Sequence, residues 1–264
     1  MSDALLEVKE LHLHYPLKKR HLLDKPSAFK AVNGVSLFVN PGETLGLVGE
    51  SGCGKSSLGK AILNLQTPTA GEVWFQKTDI SKLSNREMRP IRRDLQMIFQ
   101  DPYESLNSRH TVSSILEEPL IIHSLGDRNQ RRKTVSALLD QVGLPQSAAN
   151  KYPHEFSGGQ RQRIGIARAI ALQPKLLICD EPVSALDVSV QAQILNLLMD
   201  IQQDMGLAML FISHDLSVVR HMSDRIAVMH QGQIVETGNA EDIYCQPQHD
   251  YTRLLLDSIP QIAQ

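Results

Sequence analysis

Long apolar runs are absent from this sequence of 264 residues. No stretch approaches the roughly 18 consecutive apolar residues that a membrane-spanning helix needs, so the sequence predicts no such helix. The first residues, Met1 to Glu7, also lack the basic and apolar regions of a signal peptide. Together these absences lead us to expect a cytoplasmic protein.

Cysteine is scarce and the charge is nearly balanced. The three cysteines, Cys53, Cys179 and Cys245, are odd in number and scattered, which suits a reducing compartment. A formal net charge of -2 gives the chain no overall attraction to nucleic acid or to anionic lipid.

Three short basic clusters and one histidine pair are the local exceptions. The clusters at 18–20, 89–93 and 128–133 have the charge to meet lipid phosphate or nucleic acid, but runs this short usually form solvated faces. We therefore predict no nucleic-acid partner. His12 and His14 fall on one side of a predicted strand without further ligands at metal spacing, which favours a surface pair.

Strand-like and helix-like segments alternate along the chain. Continuous apolar strands that alternate with helices indicate an α/β fold whose sheet is covered on both faces. The predicted strands are Leu5–Val8, Leu11–Tyr15, Val35–Val39, Thr44–Val48, Gly71–Phe75, Leu95–Phe99, Leu176–Cys179, Met209–Ile212 and Ile226–Met229. A long loop is predicted from Tyr15 to about Lys30, and a helix is predicted at Ser57–Leu65. A further helix, which ends at Gly206, is predicted from the apolar stripe of Ile194, Leu198, Ile201 and Met205.

One domain accounts for the whole pattern. The segment from about 101 to 170 is helical in character, whereas the strands lie before and after it. We expect a core at about 1–100 and 171–264, with a helical subdomain at about 101–170.

A glycine-rich segment after the predicted strand Thr44–Val48 matches G-x-x-x-x-G-K-[ST] in full. Its glycines let several backbone N–H groups converge on one phosphate at the positive end of the following helix. Lys55 would reach the outer phosphates of MgATP, and the Ser56 hydroxyl would ligate Mg²⁺. The residues assigned to nucleotide binding are Gly49, Glu50, Ser51, Gly52, Cys53, Gly54, Lys55, Ser56 and Ser57. We also expect Lys55 and the helix start to lower the pKa of Cys53, which would make this thiol a target for alkylation.

Two acids follow the apolar strand Leu176–Cys179. At the carboxyl end of a parallel strand, Asp180 would hold Mg²⁺ directly or through water, and Glu181 would polarise the attacking water. An acid pair after a strand is alternatively a helix cap, but a complete phosphate loop in the same chain favours the catalytic interpretation. His214, at the end of the strand Met209–Ile212, would contact the γ-phosphate, although a lone histidine there is more often structural.

The segment Ser157-Gly158-Gly159-Gln160 precedes a predicted helix. A serine at a helix start followed by two glycines forms either a second anion-binding nest or a simple cap with a flexible entry. The spacing alone favours the cap.

Together these motifs resemble the ATP-binding subunits of ABC transporters, over nearly the whole chain. Ser157 to Gln160 is similar to the family signature, Gln100 in Phe99-Gln100-Asp101-Pro102 to its Q-loop, and Ser184 to Asp187 to its D-loop. The resemblance implies an α/β P-loop NTPase core with a mixed sheet and a helical subdomain.

The resemblance also implies roles for single residues. Gln100 would sense the γ-phosphate and join Ser56 and Asp180 at Mg²⁺, and His214 would be the switch histidine. Tyr15 stands where the family places an aromatic ring to stack on adenine, although a core aromatic on a strand is an equal alternative.

The family's assembly would explain why one chain carries two phosphate nests. Two such domains dimerise head to tail, with each ATP between the glycine loop of one and Ser157, Gly158, Gly159 and Gln160 of the other. The implied partners are a second ABC ATPase subunit, two permease subunits and, indirectly, an extracytoplasmic solute-binding protein. The implied location is the cytoplasmic face of the inner membrane, as a peripheral subunit.

The branch that this chain resembles is the oligopeptide and dipeptide importers. The matching segments are Cys179 to Gln193, Gln100 to Asn107 and Pro247 to Arg253. Nickel, metal-chelate and antimicrobial-peptide transporters share these motifs and remain alternatives, followed by a soluble ABC ATPase acting on ribosomes or DNA, and by a plain P-loop kinase or GTPase. The chain ends soon after Pro260, and with Cys245 as its one C-terminal cysteine we expect no iron–sulfur cluster of the kind found in longer members.

Overall fold

The structure is a computed structural model that describes residues 4–16, 28–101 and 105–257. The chain divides into two compact units, one formed by Met1–Met88 with Ala208–Gln264 and the other by Arg89–Leu207. The basic cluster 18–20, most of the predicted long loop, residues 102–104 of the Q-loop segment and Pro260 lie outside the described residues. The division into a core and a helical subdomain at about 101–170 stays a prediction.

The first unit contains an antiparallel sheet. Its strands are β1 (Leu6–Pro16), β2 (Ala28–Val39), β4 (Ala70–Phe75) and β5 (Thr78–Asp79), in the order β2-β1-β4-β5. The two strands predicted at Leu5–Val8 and Leu11–Tyr15 are one strand in the structure. The chain departs from regular geometry at Glu10, where φ is 43°, but pairing with β2 resumes at Leu11.

Four further strands of the same unit form a mixed arrangement in the order β10-β9-β3-β8. They are β3 (Thr44–Val48), β8 (Ala208–Ser213), β9 (Arg225–His230) and β10 (Gln233–Asn239). β3 runs parallel to β8 and β9, whereas β10 is antiparallel to β9. Every residue of β3 and β8 is buried, as expected for continuous apolar strands covered on both faces.

Short helices complete the first unit. They are α1 (Lys55–Ile62), α7 (Leu216–Met222), α8 (Ala240–Cys245) and α9 (Asp250–Asp257). α1 begins two residues before the predicted start at Ser57 and ends before Leu65, because Asn64 adopts a left-handed conformation with a φ of 51°. Asp215 caps α7 by accepting hydrogen bonds from the Ser217 and Val218 N–H groups at 2.8 and 3.3 Å.

The second unit is largely helical. α2 (Asn85–Asp94) spans the boundary between the units, and the elements that follow are β6 (Leu95–Ile98), α3 (Val112–Ile122), α4 (Arg128–Gln141), α5 (Gly158–Ile170), β7 (Leu176–Asp180) and α6 (Val188–Met205). β6 and β7 pair in parallel. Two short 3₁₀ turns, Gln146–Asn150 and Pro153–Glu155, lead from α4 into α5.

Local sequence signals set the ends of these helices. Thr111 caps α3, and both Asp127 and Ser157 form capping boxes, at the starts of α4 and α5. α6 ends at Gly206, whose φ of 60° is the left-handed conformation that glycine adopts readily. Three members of the predicted apolar stripe, Ile194, Leu198 and Ile201, are buried, whereas the fourth, Met205, is half-buried. No helix in the described part of the chain combines the length and apolar character needed to cross a bilayer.

Candidate functional site

The glycine-rich loop joins β3 to α1, as the sequence predicts. A Cβ on Gly49 would lie 2.1 Å from the Met229 carbonyl oxygen, and a Cβ on Gly54 would lie 2.0 Å from that of Ala31. Gly54 also has a φ of 111°, which disfavours any side chain there. Residues 50–52 are exposed, so the loop forms an accessible turn directly before a helix N-terminus. Such an arrangement is suited to binding phosphate. The assignment of the loop residues to nucleotide stays a prediction.

Lys55 places a cation inside the curl of this loop. Its side chain is buried, and Nζ donates hydrogen bonds to the Gly49 and Glu50 carbonyl oxygens at 2.7 and 2.9 Å. The ammonium therefore lies among the loop residues that are predicted to hold the phosphates.

The prediction of a lowered pKa at Cys53 is wrong. Burial raises the pKa of this thiol above its ordinary 9.0 and outweighs the Lys55 charge and hydrogen bonds that act to lower it. The Lys55 Nζ is 3.9 Å from Sγ, because the ammonium is bonded more closely to the two carbonyl oxygens. At neutral pH the residue is a protonated, half-buried thiol.

Tyr15 lies at the end of β1, beside α1. Its hydroxyl donates hydrogen bonds to Gln66 Oε1 and, at 3.4 Å, to Ser57 Oγ. Tyr15 is half-buried, and both interpretations from the sequence, a core aromatic and an adenine-stacking ring, stay predictions.

His214 and the glycine-rich loop follow the ends of two neighbouring parallel strands, at the same edge of the sheet. Val48 of β3 pairs with Ser213 of β8, so Gly49 and His214 are the next residues of two parallel strands. The His214 side chain is exposed at this edge. Its predicted contact with the γ-phosphate is compatible with this placement and stays a prediction.

Gln100 and Glu181 meet in the second unit. Ile98 of β6 pairs with Cys179 of β7. Gln100 lies two residues after Ile98, and Glu181 lies two residues after Cys179. The Gln100 Nε2 donates a hydrogen bond to Glu181 Oε2 at 3.1 Å. Glu181 has a φ of 44°, an unusual backbone conformation for a non-glycine residue and one found at functional sites. The structure thus brings together Gln100, which the resemblance assigned to sensing the γ-phosphate, and Glu181, which the sequence assigned to polarising the attacking water.

Asp180 and Ser56 have the oxygen donors that Mg²⁺ prefers. Asp180 ends β7 with a relative exposure of 2%, and a carboxylate buried to that degree suits a site that holds a cation. Ser56 is half-buried in the first turn of α1. Among the described residues, no group of three or more His, Cys, Asp and Glu side chains is placed to hold a metal. The assignment of Asp180 and Ser56 to Mg²⁺ stays a prediction.

The signature segment begins α5. The Ser157 Oγ accepts a hydrogen bond from the Gln160 N–H at 3.4 Å, and Gln160 Oε1 accepts one from the Ser157 N–H at 3.1 Å. The cap that the spacing favoured is therefore present. A Cβ on Gly159 would lie 2.4 Å from Val190 Cγ1, so this glycine lets α6 approach α5 closely. Whether the same residues also bind phosphate stays a prediction.

Tyr251 is a residue near the loop that the sequence reasoning did not single out. Its hydroxyl oxygen accepts a hydrogen bond from the Glu50 N–H at 3.0 Å. In the sequence, the segment Pro247–Arg253 is typical of the importer branch, and no pattern in it predicts which element its tyrosine contacts.

A complete phosphate loop between a buried strand and a helix, with a Gln–Glu pair after two further strands, defines a P-loop ATPase. The chain belongs to the ABC transporter family, whose model matches residues 32–184. It is 50% identical over 260 residues to an oligopeptide transport ATP-binding protein, AppF, of Bacillus subtilis, covering 98% of this chain and 79% of that protein. It is 52% identical over 262 residues to the oligopeptide transport ATP-binding protein OppF of Lactococcus lactis subsp. lactis, covering 99% of this chain and 82% of the relative.

Solved structures confirm the predicted fold class. The ATP-binding cassette MJ0796, in a dimeric post-hydrolysis state bound to ADP and Pi, matches with a TM-score of 0.79 and 30% identity, covering 89% of this chain and 98% of that one. CbiO1 of Clostridium perfringens, part of the transporter complex cbiONQ, matches with a TM-score of 0.79 and 26% identity, covering 93% and 92% of the two chains. The protein is an ATPase subunit that binds ATP.

Proposed function

We propose that this protein hydrolyses ATP to energise a membrane importer of oligopeptides. The phosphate loop closed around the buried Lys55 is the single observation that carries the ATPase assignment. The peptide assignment is supported by the relatives named as oligopeptide transport ATP-binding proteins, which match along 97–99% of this chain.

The proposed chemistry gives each site residue one task. The Lys55 ammonium neutralises the outer phosphates, while Ser56, Asp180 and Gln100 hold Mg²⁺, which supplies further charge neutralisation. Glu181 polarises the attacking water, and its hydrogen bond to Gln100 keeps the carboxylate oriented. His214 stabilises the γ-phosphate, and Tyr15 stacks on adenine.

We further propose that two ATPase subunits form a head-to-tail dimer around the nucleotides. In that arrangement Ser157 to Gln160 of one subunit meet the ATP held by the loop of the other. The dimeric state of the related MJ0796 cassette is compatible with this. Two permeases and an extracytoplasmic binding protein complete the proposed transporter, with this subunit on the cytoplasmic face of the membrane.

The test uses Glu181→Gln in the transporter assembled with its candidate permeases. Without the carboxylate, turnover should fall by about a hundredfold or more, because water loses its base while phosphate binding is unchanged. ATP should then accumulate in a dimerised complex, measured by retained nucleotide and by size-exclusion chromatography. A variant that hydrolyses ATP at the normal rate, or that retains none, would show the role assigned to Glu181 to be wrong.

The transported substrate is tested separately. A strain deleted for this gene should lose uptake of labelled oligopeptides and regain it with the intact gene but not with Lys55→Ala. Loss of nickel uptake with peptide uptake intact would instead place the protein among the metal transporters of this branch.

A further inference from the structure

The hydroxyl group of Tyr251 contacts the backbone of the phosphate loop. Tyr251 lies in α9 with a relative exposure of 7%, and its hydroxyl oxygen accepts the Glu50 N–H at 3.0 Å. Glu50 is the second residue of the loop, so a side chain from the C-terminal segment is bonded directly to the loop that binds nucleotide.

This hydrogen bond completes the restraint of one peptide group. The peptide between Gly49 and Glu50 has its N–H bonded to Tyr251 and its C=O bonded to the Lys55 ammonium at 2.7 Å. Bonds at both ends of a planar peptide fix its orientation. Gly49 also packs closely against the neighbouring strand, since a Cβ there would lie 2.1 Å from the Met229 carbonyl oxygen. The first turn of the loop is therefore held in place before nucleotide arrives.

The tyrosine ring is held from within the same unit. The His230 ring lies 3.9 Å from the Tyr251 ring, centroid to centroid, at an interplanar angle of 37°. The Tyr251 N–H donates to His249 Nδ1 at 3.1 Å. Ring and backbone are thus both anchored, so the hydroxyl has little freedom to leave the loop.

Glu236 of β10 fastens the segment that carries Tyr251. Its carboxylate accepts hydrogen bonds from the Gln248 N–H at 2.7 Å, the His249 N–H at 3.0 Å and the Thr252 hydroxyl. Burial acts to raise the pKa of Glu236, but these hydrogen bonds outweigh it and the pKa is lowered, so the group is a carboxylate at neutral pH. These three hydrogen bonds to one charged acceptor hold the start of α9 against β10.

We propose that Tyr251 is a positioning residue for ATP binding, through which the docked C-terminal segment Pro247–Asp257 preorganises the phosphate loop. A loop whose first peptide is already oriented loses less conformational freedom when phosphates bind, so affinity rises without any contact between Tyr251 and nucleotide. The proposal rests on the proposed role of the loop in binding the phosphates of ATP.

The principal test compares Tyr251→Phe with Tyr244→Phe. Tyr251→Phe keeps the ring against His230 and removes only the acceptor for the Glu50 N–H. Tyr244, in the neighbouring α8, packs its ring against the Arg220 guanidinium at 4.0 Å, so Tyr244→Phe removes a hydroxyl away from the loop and serves as the matched control.

The expected result is a change in affinity with little change in the chemical step. In the full chain, Tyr251→Phe should raise the Kd of a fluorescent ATP analogue about fivefold, the effect of losing one neutral hydrogen bond. In the assembled transporter the KM for ATP should rise similarly while kcat changes less than about twofold, because bound phosphates order the loop again. The Glu50 amide should exchange with deuterium faster than in the Tyr244→Phe control.

A purely structural role would lower the melting temperature and leave the KM unchanged. Unchanged KM and Glu50 exchange in Tyr251→Phe, or a KM raised equally by Tyr244→Phe, would overturn the proposal. Glu236→Gln provides a second route, since it removes part of the acceptor that seats the segment and should also weaken nucleotide binding. Unaltered affinity in that variant, with amides 248–252 exchanging faster, would count against the proposal.

Lys55→Ala separates this inference from the proposed function. If Lys55→Ala keeps normal nucleotide affinity, the assignment of the loop itself is wrong. If Lys55→Ala loses nucleotide but Tyr251→Phe binds normally, only the role of Tyr251 fails.

Discussion

Lys55 and Cys53 lie in the same curl of the phosphate loop, and burial affects the two side chains differently. The ammonium finds two carbonyl oxygens at 2.7 and 2.9 Å, whereas the thiol has no comparably strong partner and its pKa rises. A charge is retained under burial only where hydrogen bonds replace water. The loop therefore contains a buried ammonium, which we propose neutralises phosphate, beside a thiol of low reactivity.

The reactivity of Cys53 follows from the direction of this pKa shift. A thiol with a pKa above 9.0 is almost entirely protonated at pH 7, so Cys53 should react with iodoacetamide more slowly than a free thiol, and its rate should climb as pH rises beyond 9. Mass spectrometry of the alkylated peptide measures this. Lys55→Ala should slow the reaction further at a given pH, since it removes a charge that favours thiolate. Fast, pH-independent labelling near neutrality would contradict the assigned shift.

At the scale of secondary-structure elements, the contact between α5 and α6 positions the signature segment, Ser157 to Gln160. Gly159 in the first turn of α5 faces Val190 of α6, and Ser157 closes the capping box at the helix start. Val190 is β-branched and has few rotamers available in a helix, so it cannot easily make room for an added methyl group. The glycine is needed for helix packing whatever else it binds.

Two alanine substitutions on α5 should have opposite effects on stability. Gly159→Ala places a Cβ 2.4 Å from Val190 Cγ1 and should cost about 1–3 kcal/mol by overpacking. Gly165→Ala meets no atom within 4 Å and should stabilise the helix by about 0.5–1 kcal/mol. Urea unfolding monitored by circular dichroism measures both. Equal effects of the two substitutions would show that the approach of α6 does not constrain Gly159.

At the scale of the whole molecule, both units contain residues that we assign to nucleotide binding or hydrolysis. The first unit contains the phosphate loop, Tyr15 and His214, and the second contains Gln100, Asp180, Glu181 and Ser157 to Gln160. If the signature acts on the ATP of a partner subunit, as we propose, binding is a property of one chain while hydrolysis belongs to the assembly.

Ser157→Arg tests this separation of binding from turnover. The variant should still bind ATP as a monomer, because its own phosphate loop is unchanged, but ATPase activity of the assembled transporter should be lost as the new side chain obstructs the partner's nucleotide. Equilibrium binding of a fluorescent ATP analogue and phosphate release measure the two properties. Gly165→Ala, on the same helix but outside the signature segment, is the control and should keep an ATPase rate near that of the native chain. Normal turnover in Ser157→Arg would exclude the head-to-tail sandwich.

Much of the fold and part of the site could be predicted from the sequence, because they depend on local chemistry. The spacing of glycines and Lys55 specifies a phosphate loop, continuous apolar runs specify the buried strands Thr44–Val48 and Leu176–Cys179, and Gly206 specifies a helix end. Each of these signals lies within a few consecutive residues. Helix bounds were less accurate, as at α1, where the predicted helix continues to Leu65 although Asn64 adopts the left-handed conformation that asparagine often takes at helix ends.

Only the tertiary structure decided how residues distant in the sequence act on one another. The register of β6 on β7 brings Gln100 within 3.1 Å of Glu181. Burial decides the direction of the Cys53 pKa shift. The hydrogen bonds to Glu236 hold the segment that places Tyr251 against Glu50. These outcomes depend on which elements pack together and on how much water they exclude, and no local pattern contains either. The sequence alone thus determined that the chain binds ATP phosphates, whereas the fold determined what holds the binding loop in place.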